Sequence, residues 1–119
     1  MKNSKNAARI EMMQQRREAR SVAECFPEVA GIVISMTYNQ KGIKPIFRAF
    51  NFSPSSYAFF KVNCLSKDCV DGGFDLTQII ATMARSKREM ANGELGCIGN
   101  VPSAKHSDIV YEVAIQYIQ

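Results

Sequence analysis

Three cysteines and the chain's single histidine have the types and spacing for metal chemistry: Cys64 and Cys69 in "CLSKDC", then Cys97 and His106 in "CIGNVPSAKH". Zinc takes four nitrogen or sulfur ligands in a tetrahedron, commonly two from each of two loops. Two glycines, Gly72 and Gly73, follow Cys69 almost directly and let the backbone turn sharply, as tight ligand loops require. The Cys-x4-Cys spacing is at the long edge of the zinc-knuckle range, and the gap before His106 is longer than a standard second pair. The alternative is plain burial, since a reduced cysteine packs as a small apolar side chain. Cys25 stands apart beside Phe26 and Pro27 and reads as a core residue. As a nucleophile it would need a base, and His106 is the only histidine. No catalytic residue is assigned.

A second group of residues points to nucleic acid. Phe47, Phe50, Phe52, Tyr57, Phe59 and Phe60 crowd a short stretch of strand-like sequence. Rings on a strand surface can stack bases, while Arg48, Lys61 and an N-terminal arm bearing Arg16, Arg17 and Arg20 can meet phosphates. Core strands are also rich in Phe, so alternation should turn about half of these rings inward. The formal charge of +4 is concentrated in that arm, where six Lys and Arg within residues 1–25 stand against three Glu. The remaining residues are close to neutral.

These groups must be positioned by a chain of 119 residues, 46% hydrophobic and 22% charged, which fits one compact α+β domain spanning 1–119. Residues 4–25 lack Gly and Pro and form a basic helix within an arm of 1–26, closed by Pro27. Its apolar stripe of Ala8, Met12, Ala19, Val22 and Phe26 is thin, which suggests pairing with a second copy as a homodimer. The body, 27–119, then turns to alternating patterns. "GIVISMTY", "IFRAFNF" and "YAFFKVN" read as three meandering strands, joined by turns at 39–42 and 53–56.

A long helix follows. Asp75 and Gln78 are spaced as a capping box and Phe74 and Ile79 as a hydrophobic staple. Leu76, Ile79, Ile80, Met83 and Met90 form its stripe, and Asn92-Gly93 ends it. A short strand at "ELGCI" and a final strand at 109–118 complete the order α-β-β-β-α-β-β, with about five antiparallel strands.

The segments "CLSKDCVDGGFDL" and "GELGC", roughly a quarter of the chain, resemble zinc-ribbon-like segments of small bacterial proteins of no known activity. That resemblance implies a structural zinc on Cys64, Cys69 and Cys97, with His106 where zinc ribbons usually place a cysteine. Arg16-x3-Arg20 resembles the cyclic-dinucleotide-binding arm of PilZ domains. The (Asp/Asn)-x-Ser-x-x-Gly loop of those domains is missing, because Asn63-x-x-Ser66 is wrongly spaced and has no glycine.

No run approaches the roughly 20 apolar residues of a membrane-spanning helix, and no apolar stretch follows the N-terminal charges. Phosphate-loop and dinucleotide glycine patterns are missing, and no small-molecule substrate is indicated. The expectation is a cytoplasmic, non-enzymatic, zinc-stabilised binding domain contacting nucleic acid through its basic arm. The alternatives are a metal-free self-associating protein or a thiol enzyme.

Overall fold

The computed structural model describes residues 4–40, 42–64, 73–97 and 108–118, with side chains from residue 10 onward. The chain folds as an antiparallel four-stranded sheet with helices and a small two-stranded sheet on one of its faces. In order, α1 is Ser4–Glu18, α2 Val22–Cys25, β1 Val29–Gln40, β2 Ile43–Phe52, β3 Lys61–Asn63, β4 Gly73–Asp75, α3 Thr77–Ser86, β5 Met90–Gly96 and β6 Asp108–Tyr117. The large sheet runs β2-β1-β6-β5, and among the described residues β3 pairs only with β4.

The alternation expected for the first and last strands is present. Ile32, Ile34, Met36 and Tyr38 of β1 and Ile109, Val113 and Ile115 of β6 point to one buried side. There they meet Val22 of α2, Phe60, Phe74, Leu76, and Ile80 and Met83 of α3 in a single apolar core. Among the described residues no helix or strand covers the opposite face. Across it the register aligns Phe47–Thr37–Val110–Glu94, then Ala49–Ser35–Glu112–Asn92, then Asn51–Val33–Ala114–Met90.

Several elements differ from expectation, each for a local reason. The N-terminal helix breaks after Glu18, because Ser21 is extended (φ −70°, ψ 160°) and bridges Tyr57. Around it Ala58 N–H donates to the Arg20 carbonyl, and Val22 and Ala23 N–H donate to the carbonyls of Ser56 and Pro54. Those bonds engage Pro54 and Ser56 of the expected turn and Tyr57 and Ala58 at the start of the expected third strand. Residues 57–60 therefore do not extend the meander, and only 61–63 are strand, paired with 73–75. A four-stranded and a two-stranded sheet replace a continuous five-stranded one.

The long helix begins at Thr77, with Asp75 Oδ1 accepting from the Thr77 amide (3.0 Å) and hydroxyl (2.6 Å). No side-chain bond caps Leu76, so the capping box expected from Asp75 and Gln78 does not form. The helix stops at Ser86, where Lys87 is left-handed (φ 53°, ψ 37°) and Arg88 N–H reaches the Met83 carbonyl. Asn92-Gly93 therefore lies inside β5, and Met90 is 49% exposed on that strand rather than buried in a helix stripe.

Candidate functional site

A cleft of about 290 Å³ opens on the covered side of the sheet. Its floor is Ile34 and Tyr38 of β1 with Phe50 and Phe52 of β2, side chains the register turns towards the core. One wall is the run Phe59, Phe60, Lys61, Val62 and Asn63, and Met12, Met13 and Arg16 of α1 lie across the mouth. β2 is an edge strand, so its inward residues Arg48, Phe50 and Phe52 are left partly open instead of being sealed by a further strand. That openness goes with 54–58 bonding to the Arg20–Ala23 segment rather than to β2.

The rings are held in place. Phe52 and Phe60 meet edge to face at 5.0 Å between centroids, and Phe26 and Phe60 lie 6.4 Å apart. Tyr38 packs edge-on against Phe74 at 5.8 Å. Arg48 Cζ stands 6.0 Å from the Tyr38 centroid, within cation–π range. Burial pushes the Tyr38 hydroxyl above its ordinary pKa; the Arg48 charge works against that, and the neighbouring Cys64 adds to it. Tyr38 is therefore a neutral hydroxyl at the base of the cleft over the physiological range.

Of the residues expected to meet nucleic acid, Arg16, Arg48 and Lys61 line this one cleft, although they come from α1, β2 and β3. Arg17 and Arg20 are exposed and do not line it. Phe47 is 66% exposed on the opposite sheet face, level with Val110 and Glu94. Met12, Met13, Tyr38, Val62 and Asn63 join the lining without having been expected there. The inward phase of Tyr38 in the alternation was the available sign for one of them.

Cys64, which follows β3, is buried, and Cys97, which follows β5, is half-buried. Cys64 directly follows Asn63, which lines the cleft with Tyr38. Gly96, just before Cys97, pairs with Asp108, which in turn pairs with Asn39 beside Tyr38. Cys69 and His106, the other two expected ligands, lie outside the described residues; among the described ones no three His, Cys, Asp or Glu converge. Gly73 has a packing reason of its own, because a Cβ there would run into the Val62 carbonyl across the β3–β4 pair. Cys25 is exposed, not a core residue; it lines a shallow groove of about 550 Å³ between α3 and the start of β1.

No family model, no curated protein and no solved structure matches the chain. Among the described residues no helix is long and apolar enough to cross a membrane.

Proposed function

We propose that this chain is a small, non-enzymatic, cytoplasmic binding domain that holds single-stranded nucleic acid in the cleft between α1, β2 and β3. The observation that carries this reading is the convergence of Arg16, Arg48 and Lys61 on a cleft lined by Tyr38, Phe50, Phe52 and Phe59. Unpaired bases stack on aromatic faces whatever their identity, and Lys and Arg displace condensed counterions from the phosphates between them. An apolar cleft with cations at its rim offers both in one place. The Arg48 guanidinium and the Tyr38 ring beneath it add a stacking surface for a base and a donor for its phosphate. A duplex, whose bases are already stacked on one another, has no free base faces to offer these rings.

A structural zinc on Cys64, Cys69, Cys97 and His106 belongs to the same reading. It is supported by the ligand types and spacing in the sequence and by Cys64 and Cys97 each following directly on a strand, β3 and β5. The metal would join the segment after β3 to the segment after β5 and take no part in binding bases. The binding claim is tested by fluorescence anisotropy of end-labelled oligothymidylate and oligouridylate at low salt. Saturable binding to both, with a matched duplex weaker, is expected. Failure of either single strand to bind at low salt overturns it.

A further inference from the structure

The charges of α1 are sorted by side. At about 100° per residue, Lys5, Arg9 and Arg16 take positions within about 40° of one another on the helix, on the side that brings Met12 and Met13 to the cleft. Glu11 and Glu18 fall about 140° or more round from Arg16 and are exposed. The wall that the cationic side meets is cationic too. Arg48 and Lys61 line the cleft, and no Asp or Glu is among the described residues that line it. Among the described residues none of Arg16, Arg48 and Lys61 is in an ion pair.

Little else holds α1 in place. Of residues 10–18 none is buried, and only Met12 is half-buried. Among the described residues no backbone hydrogen bond joins α1 to the body; the nearest along the chain runs from the Ala58 N–H to the Arg20 carbonyl. Ala19 and Arg20 are not helical and stand between α1 and that anchor. A helix of 15 residues is marginal in water by itself. α1 is therefore a hinged element whose apolar contacts, Met12 and Met13, are opposed by cations facing cations across the cleft.

We propose that α1 is a clamp, closed on the body by the phosphate backbone of a bound strand. A phosphate between Arg16 and the Arg48–Lys61 wall replaces one repulsion by two attractions. This rests on the cleft-binding reading and adds how that site is regulated. The position of α1 across the mouth is the closed one. Without a strand the repulsion holds the clamp open at low salt, and added salt shuts it in part, because screening weakens the repulsion and leaves the methionine contacts. Arg16→Glu turns the repulsion into attraction, so it should close the clamp with no strand present and reverse the effect of salt.

The test is amide hydrogen exchange of residues 4–18, read by mass spectrometry on the full chain. Wild-type exchange should slow as salt rises, and should also slow when oligothymidylate is added at low salt. Without a strand at low salt, Arg16→Glu should exchange about two- to fivefold more slowly than wild type, the range of an exposed ion pair, and should speed up with salt. Adding Arg48→Gln and Lys61→Gln to that variant should remove the protection. Arg17→Glu, about 100° further round the helix, should behave as the wild type does. All of these side chains are exposed or half-buried, and thermal melts by circular dichroism verify that each variant folds. Wild-type exchange that does not slow with salt, Arg16→Glu no slower than Arg17→Glu, or protection that survives the loss of Arg48 and Lys61 overturns the clamp. Oligothymidylate that binds by anisotropy but leaves residues 4–18 unprotected overturns the clamp alone and leaves the cleft reading standing. Oligothymidylate that does not bind overturns the cleft reading, and with it the closing of the clamp on a strand.

Discussion

Removing the three cations that line the cleft should change the salt dependence of binding, not only its strength. Arg16 and Arg48 are exposed and Lys61 is half-buried, so replacing all three by Gln leaves the core intact. For single strands the slope of log K against log salt is about −0.7 per phosphate neutralised, so three contacts contribute about −2. Raising salt from about 50 to about 200 mM should then weaken this part of the wild-type affinity by about 20-fold, and the triple variant should lose that sensitivity. The assay is a series of anisotropy titrations of one labelled oligonucleotide at four salt concentrations. The control is Arg17→Gln/Arg20→Gln, which removes two charges from the same arm outside the cleft and should leave the slope nearly unchanged. A triple variant with the wild-type slope, or a control that flattens it as much, would show that phosphates run along the arm and not through the cleft.

Phe59→Ala should cost about 1–3 kcal/mol of binding free energy, similar for thymine and uracil strands, as read by the same titrations. Gly73→Ala should destabilise the fold by about 1–3 kcal/mol, because its new methyl meets backbone at Val62; Gly93→Ala meets only the Tyr111 side chain and should cost less in thermal melts. Tyr117 Oη donates to the Arg88 carbonyl at 2.7 Å, with the Met83 carbonyl at 3.1 Å, so Tyr117→Phe should cost about 1 kcal/mol in urea unfolding. Tyr38 has a raised pKa in the fold, chiefly from burial, so the folded state keeps its proton to higher pH than the unfolded chain does. Stability should be unaffected by this group below its ordinary value of 10.0 and fall as pH rises above it, a fall reduced in Tyr38→Phe. Native protein should hold about one zinc per chain by elemental analysis, and Cys64→Ser should lose it and melt lower; equal melts with and without added zinc would contradict the metal site.

The strands buried on one face were the legible part of the fold. In β1 and β6 the two-residue period is set by water on one side and core on the other, so Ile32 to Tyr38 and Ile109 to Ile115 could be phased from the alternation of residue types. The end of α3 was not legible. Its left-handed position is filled by Lys87, not by a glycine, and the Met83 and Arg88 carbonyls there are met by Tyr117, 34 and 29 residues away. The three-residue strand β4 was hidden inside a Gly-Gly signal read as loop chemistry, when Gly73 is required by the closeness of Val62. For the cleft, the residue types were visible and their convergence was not. That convergence depends on 53–58 bonding back to Arg20–Ala23, a pairing of irregular segments with no periodic trace in the sequence.

Photo-cross-linking with residue-level mass spectrometry tests the central claim most directly. A single-stranded oligonucleotide carrying 4-thiouridine would be irradiated on the native chain at low salt and its adducts mapped. The cleft reading expects adducts on Tyr38, Phe50, Phe52, Phe59 or Met12, abolished by the Arg16, Arg48 and Lys61 triple substitution. Adducts confined to Phe47 and the open sheet face, or no adducts where binding is saturated, would contradict it.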